Sequence, residues 1–338
     1  MAAVARFFRG NEKQVDRGRS AETPREIPAR GWKDVLVRTK TSVKADDAPL
    51  LAAGVAFYAL LSLVPGLVAL VSVYGLVADP ADIQQNVSDV LAAAPAEVRE
   101  LVEQQLESIV SGTSSGLRLG AIVGLVLALW SASAGVKNLM TAVNRAYHET
   151  ETRGFFKLRA TALLLTIGMI VLGGIALFGL IIAPEAMSSE GGVGVARDVL
   201  MIVRWPLAAL VIIAGLAVLY RFAPDRDNPR WAWASTGAIV ATILWLVASA
   251  GFSIYTANFG KYNETYGALG AIVVVMLWLW IGALAVILGA ELNGEMERQT
   301  TTDTTTGRDN PLGRRDAFVA DTVGPTADEE AAKRKSAT

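Results

Sequence analysis

The chain contains no cysteine in its 338 residues. That excludes disulfides, thiolate metal sites and a cysteine nucleophile, and it leaves the redox compartment open. There is a single histidine, His148, in the polar stretch "NRAYHETETR" (144–153). One imidazole cannot build a multi-histidine metal site, and the spacing of Glu149 and Glu151 beside it demands no metal. The plain reading of His148 is a solvated residue at a helix end. Charge is also scarce, at 19% of residues, where soluble domains average roughly 25%. The net charge of −1 gives no argument for nucleic acid, and none is expected as a partner. No glycine-rich lysine loop for a phosphate is present, and no strand is available to carry a nucleophile elbow. No cofactor is expected.

What the chain has instead is hydrocarbon. Hydrophobic residues make up 52%, and the mean hydropathy is +0.40. Six apolar runs stand out, at about 49–77, 119–139, 158–183, 200–222, 231–259 and 268–292. A helix needs ~20 apolar residues to cross a bilayer. The runs are continuous rather than alternating, and hydrocarbon offers no partner to an open strand edge, so helices are the spanning form. The expected fold is all-α: a polytopic six-helix transmembrane bundle. Pro65 and Pro206 fall inside the first and fourth runs, a weak sign of broken helices.

Lys and Arg orient the bundle. Residues 1–45 hold eleven of them, the connection at 78–118 holds only Arg99 and Arg118 against seven acids, and the tail again holds seven. Basic and non-basic connections alternate, which places both termini in the cytoplasm. The front of 1–45 is expected to be disordered, with a short interfacial helix over 27–44. The Thr-rich, mixed-charge tail at 296–338 is expected to be disordered as well. Within 79–111, apolar residues recur at helical spacing, and Asp79-Pro80 reads as a helix start. Two short amphipathic outer helices are expected there.

Polar groups inside apolar runs are costly and so carry information. Lys137 and Glu291 lie near the cytoplasmic ends of the second and sixth runs. They are placed either to pair or, separately, to snorkel and to meet the interface. Arg204 lies inside the fourth run, either to pair with Asp198 or Glu185 or to meet an anionic head group. Trp231 and Trp233 read as interface anchors. Between the fifth and sixth runs, "YTANFGKYNETYGALG" (255–270) crowds polar side chains around three glycines. The glycines permit a tight reversal. Asn258 and Asn263 can satisfy helix ends, and Tyr262 and Tyr266 suit interface depth. The knot is either architectural or the polar mouth of a cavity. The candidate ligand residues are therefore Arg204, Lys137, Glu291, Asn258, Tyr262, Asn263 and Tyr266. Membrane lipids are the expected partners, with anionic lipid meeting the basic N-terminus.

Four stretches carry a family resemblance. They are "AAGVAFYALLSLVPGLVAL" (52–70), "LWSASAGVKNLMTAVNRAYHE" (129–149), "LYRFAPDRDNPRWAWASTGAIVATILW" (219–245) and "YTANFGKYNETYGALGAIVVVMLWLWIGALAVILGAELN" (255–293). Together they resemble the YihY/BrkB family of bacterial membrane proteins. The resemblance implies a six-span protein of the bacterial inner membrane. It also brings the family's long-standing label "ribonuclease BN", a link by name to virulence, and proposed roles of relatives in envelope lipid transport. The nuclease label conflicts with the residues, which supply neither metal-held carboxylates nor a paired acid and base for RNA. The readings left open are a transporter or lipid-handling protein, a structural or partner-binding protein, and a ribonuclease.

Overall fold

The computed structural model describes residues 17–74, 115–177, 194–258 and 268–336. After a short 3-10 turn at Pro24–Glu26, nine helices follow in chain order among the described residues. They are α1 (Ala29–Ala45), α2 (Ala48–Tyr74), α3 (Ser115–Ala146), α4 (Phe155–Leu177), α5 (Gly194–Phe222), α6 (Trp231–Asn258), α7 (Ala268–Glu297), α8 (Phe318–Asp321) and α9 (Ala327–Ser336). The only strand-like feature among them is one isolated bridge, Pro229 with Thr305. Five described helices, α3 to α7, are long and apolar enough to cross a membrane. A sixth span results if α1 and the start of α2, bent by 63°, count as one. Pro65 and Pro206 sit inside α2 and α5 without ending either helix. The outer helices expected over 79–111 lie outside the described residues.

The chain divides into two compact units. Unit 1 comprises residues 1–56, 139–153 and 216–338, and unit 2 comprises 57–138 and 154–215.

In unit 1, α6 and α7 run antiparallel along each other. Asn293 meets Gly237, Tyr220 and Ala241 meet Gly289, and Trp245 meets both Gly282 and Trp278. Small residues make the close approach possible: a Cβ on Gly237 would collide with the Gly289 carbonyl oxygen. α1 buries Gly31, Asp34, Val35, Arg38 and Ser42, positions that recur at helical spacing on one face. That face is largely polar, so α1 packs through hydrogen bonds as much as through hydrocarbon. Trp233 does not anchor an interface as its position suggested. It is fully buried in a cluster with Ala21, Ile27, Val35, Leu292 and Met296. Trp231 is exposed, as an anchor should be.

The C-terminal tail departs most from the sequence reading, whereas the helix expected over 27–44 is present as α1 and the front of the N-terminus, 1–16, lies outside the described residues. Composition alone predicts disorder for the tail, yet residues 299–305 and Arg315 are largely buried in unit 1. The N-terminal strip at 17–21 holds them. Gln299 Nε2 donates to the Arg17 carbonyl (2.8 Å), Thr301 N to the Arg19 carbonyl (2.8 Å), and Thr300 Oγ1 to the Ala21 carbonyl (2.7 Å). Arg315 then gathers the carbonyls of Thr301, Thr302, Asn310 and Ala320. A polar segment orders without a hydrophobic core when its backbone and side-chain groups find fixed partners. α9 opens with a reciprocal cap, Thr326 N to Glu329 and Glu329 N to Thr326 Oγ1. A second chain segment contributes as well, since Ala327 N donates to Asp34 of α1 at 2.8 Å.

In unit 2 the buried residues are mostly small: Ala69, Ala128, Ala132, Ser133, Ala162 and Ala208. Its large side chains point outward, among them Leu61, Leu127, Phe156, Leu164, Ile202 and Trp205. Gly135 lets α3 close on Ser62 and the Tyr58 carbonyl of α2. Arg159 lies 3.9 Å over the Trp130 ring and donates to the Trp130 carbonyl, which joins α4 to α3.

Candidate functional site

The last turns of α7 read "AELNGEME" (290–297) and place three glutamates inside protein. Glu297 forms a bidentate pair with Arg226, at 3.1 and 2.7 Å, and accepts from Thr304 Oγ1 at 2.6 Å. Both side chains of the pair are fully enclosed. Tyr147 lies against the same arginine, its ring 5.3 Å from the guanidinium. Burial would by itself lower the affinity of Arg226 for its proton, but the adjacent Glu297 charge raises it. Glu295 accepts from Arg38 Nε at 2.6 Å, Ser42 Oγ at 2.9 Å and Arg298 Nη1 at 2.8 Å. Arg38 spends its remaining donors on the Glu295 and Pro325 carbonyls. Each of these carboxylates is therefore charge-neutralised and hydrogen-bonded, the condition under which burial is tolerated.

Glu291 differs. It is 1% exposed, and neither of its carboxylate oxygens has a hydrogen-bond partner. The charges that act on it, Asp46 and Glu295, are both acidic. One turn back on α7, Ile287 packs in a cluster with Ala48, Ala52, Val55, Ala142 and Ala283, and Leu51, Leu139 and Leu284 pack against that cluster.

Around this helix end two loops are fixed by carboxylate and arginine contacts. Asn144 donates to Glu151 and accepts from Asp225 N, each within 2.9 Å. Thr152 donates to Asp225 through both its backbone and its hydroxyl, and Arg153 binds Glu151, Asp225 and the Ala223 carbonyl. Burial alone would raise the Asp225 pKa, but the Thr152 donors and Arg153 outweigh it and hold the group below the ordinary carboxylate range. Glu149 behaves oppositely. Its burial is the dominant effect and raises its pKa, although Phe318 N donates to it at 2.8 Å. His148 adopts a left-handed backbone (φ +54°), packs edge-on against Phe318, and places Nδ1 4.0 Å from Asp46 Oδ2.

The seven residues singled out from sequence are not brought together among the described contacts. Glu291 belongs to unit 1, where neither carboxylate oxygen accepts a hydrogen bond, and Lys137 is an exposed residue of unit 2. Arg204 lies on α5 two residues inside its apolar span, with its guanidinium 5.4 Å from the Trp205 ring. Glu185, one of its proposed partners, lies outside the described residues. Asn258 ends α6, and Tyr262, Asn263 and Tyr266 lie outside the described residues.

Sequence reasoning overlooked Arg38, Arg226, Glu295 and Glu297. A legible signal was present, because three glutamates and an asparagine within seven residues are too many for a helix merely reaching an interface. Asn293 does structural work. Its Oδ1 accepts from Gly237 N and its Nδ2 donates to the Ala234 carbonyl, which locks α6 to α7. Among the described residues, no group of three or more His, Cys, Asp or Glu side chains is placed to hold a metal ion.

Comparison with known proteins agrees with this helical, membrane-type architecture. A ribonuclease-like protein of Bacillus subtilis (strain 168), YfkH, is 32% identical over 255 residues, covering 73% of this chain and 89% of that protein. A UPF0761 membrane protein of Aeromonas salmonicida (strain A449) is 29% identical over 59% of this chain and 67% of its own length. The Vibrio vulnificus (strain YJ016) UPF0761 membrane protein VV0203 is 29% identical over 73% and 78%. No solved structure matches the chain. The model of the virulence factor BrkB family matches residues 39–312, which include Arg38's partner Glu295 and both members of the Arg226–Glu297 pair. The chain is a multi-pass membrane protein that belongs to the virulence factor BrkB family.

Proposed function

We propose that this protein handles anionic lipid, or moves a comparable anionic amphiphile, in the bacterial inner membrane, and that it catalyses no covalent reaction. The observation that carries this reading is Arg204. It is a cation two residues inside the α5 span, beside the ring of Trp205, on a helix whose neighbouring Ile202, Val203, Leu207 and Leu210 face outward. A guanidinium near the end of a span, among outward-facing hydrocarbon, suits the charge of a phosphate head group. The alternation of basic and non-basic connections supports cytoplasmic termini. The test is lipid identification in protein purified from its native membrane. Stoichiometric anionic lipid that falls several-fold in Arg204→Ala, at unchanged protein level, is expected. Equal lipid in both proteins would overturn the reading.

A second reading is a structural or partner-binding membrane protein, favoured by the dense bonding of unit 1, where side chains of both terminal segments are consumed in internal contacts. Retention of an envelope phenotype by Arg204→Ala and Tyr266→Ala, with protein levels unchanged, would select it. The ribonuclease-like name of the Bacillus subtilis relative suggests a third test. Purified protein incubated with RNA and Mg²⁺ or Zn²⁺ is expected to leave the RNA intact.

A further inference from the structure

The two other glutamates at the end of α7 show what this environment requires of a carboxylate. Glu295 and Glu297 each have an arginine within 2.7 Å and further hydroxyl donors. Glu291, four residues before Glu295, has none of these and is just as thoroughly buried. An isolated ionised carboxylate in an apolar surrounding costs far more than any single contact returns, so such a group neutralises unless a cation or donors reach it. Among the described residues no donor reaches either oxygen. α2 carries no charged residue, and α3, whose Leu139 and Ala142 pack one turn away, carries Lys137, which is exposed, and Arg145, which is bound to Asp46. α6 carries no charged residue along its length. From α1 come Arg38, which is occupied by Glu295, and the α1–α2 corner residue Asp46, an acid. Asp46 is engaged by Arg145 at 3.3 Å and approached by His148, but its own Oδ2 is buried with no hydrogen-bond partner. From α7 itself come Glu295, an acid, and Arg298, which is bonded to Glu295. The last turn of α5 supplies Arg221, which donates to the Pro229 carbonyl and lies over the Trp231 ring, and Tyr220, whose hydroxyl donates to the Val286 carbonyl. α8 adds Asp321, whose carboxylate accepts from Gly313 N and Arg315 N.

We propose that Glu291 is a proton-binding site: the buried, unpartnered side chain holds a proton as a neutral carboxylic acid, and the group can load and release that proton. Loading forms one O–H bond on a carboxylate oxygen with a proton taken from water, and release returns that proton to water, with no other bond changed. Asp46 and Glu295 set its balance, since any cation that moved toward Asp46 or any loss of the Arg38–Glu295 contact would alter the field at Glu291. This site does not depend on the anionic-amphiphile reading, because its occupancy is measured without transport.

The test is infrared difference spectroscopy on the full chain, purified and reconstituted in lipid nanodiscs. At neutral pH the wild-type protein is expected to show a protonated-carboxyl carbonyl band. The band should shift on ¹³C labelling of glutamate, disappear on raising the pH, and be absent from Glu291→Gln. Glu291→Gln, which mimics the neutral form, is expected to keep the wild-type melting temperature. A neutral-pH spectrum without a glutamic acid band, or one unchanged by Glu291→Gln, overturns the proposal. If Glu291→Gln fails to fold, Glu291→Asp decides the same question: the protonated-carboxyl band should then no longer shift on ¹³C labelling of glutamate, and a band that still shifts overturns the proposal. A band abolished by sodium at constant pH would assign the site to a metal cation and would also overturn it.

Discussion

The two units of this protein share packing through small residues and differ in buried charge. Unit 1 encloses Arg38, Arg226, Glu295 and Glu297 and pairs them inside protein, while unit 2 keeps alanines inside and turns Leu127, Phe156, Leu164 and Ile202 outward. In water the second arrangement would be unstable, because large exposed apolar surface is what folding normally removes. In lipid it is the natural one. Hydrocarbon solvates leucine as well as a protein core does, so helix contacts rest on small residues and close backbones. The first arrangement needs donors and counter-charges delivered from several chain segments, and the helix ends, loops and both terminal segments of unit 1 deliver them. One group in unit 1 breaks its own rule, Glu291, and that exception is where chemistry is sought.

The contrast can be broken most severely at a charge pair. Glu295→Ala leaves Arg38 buried without its counter-charge. Removal of one partner from a buried pair costs ~3–5 kcal/mol, so a large fall in melting temperature, or loss of folded protein, is expected by fluorescence-detected size-exclusion. The combined Arg38→Met, Glu295→Met variant should recover much of that loss, and no recovery would mean that the pair is needed for more than charge balance.

Glycine substitutions compare a close helix contact with an open position. In Gly237→Ala the new methyl group meets the Gly289 carbonyl and the Asn293 side chain. Overpacking of this kind costs ~1–3 kcal/mol, and a lower melting temperature is expected. In Gly173→Ala nothing lies within 4 Å of the new atom, so an unchanged or slightly higher melting temperature is expected. Equal effects at the two sites would mean that the α6–α7 contact is not closely packed.

The cap of α9 gives a smaller effect. Thr326→Ala removes the hydroxyl that accepts from Glu329 N. Loss of a helix cap costs ~1 kcal/mol, and it should appear as faster backbone hydrogen exchange across 327–336 with the membrane helices unaffected.

The smallest expected effect is on pH dependence. The Asp225 pKa is depressed in the folded protein, so the stability it confers is present above the ordinary carboxylate value and is lost as the pH falls through its lower native value. Acid should therefore loosen the 144–153 and 223–230 loops before it reaches α4. Asp225→Asn should flatten the acid limb of the melting-temperature profile, and an identical limb would remove Asp225 from the account.

Six apolar runs, their approximate bounds and the all-helical class followed from hydropathy and length, because the bilayer constrains both directly. The described helices α3 to α7 coincide with five of those runs. The site was half legible. Glu291 stood out because a lone acid in an apolar run is conspicuous, whereas Arg38 and Arg226 lay in stretches so basic that no single residue drew notice. Trp233 shows the limit most clearly. Its neighbour Trp231 is exposed, and two residues along a helix turn the side chain to nearly the opposite face, so identical residue types met hydrocarbon core and surface respectively.

The sequence by itself determined which segments hydrocarbon would accept, since that depends on local composition summed over about twenty residues. Only the tertiary structure decided the fate of the polar segments. Whether Gln299 or Thr300 is solvated or enclosed depends on partners hundreds of residues away, and Glu291 stands apart because Arg38 and Arg226 are committed to its neighbours Glu295 and Glu297.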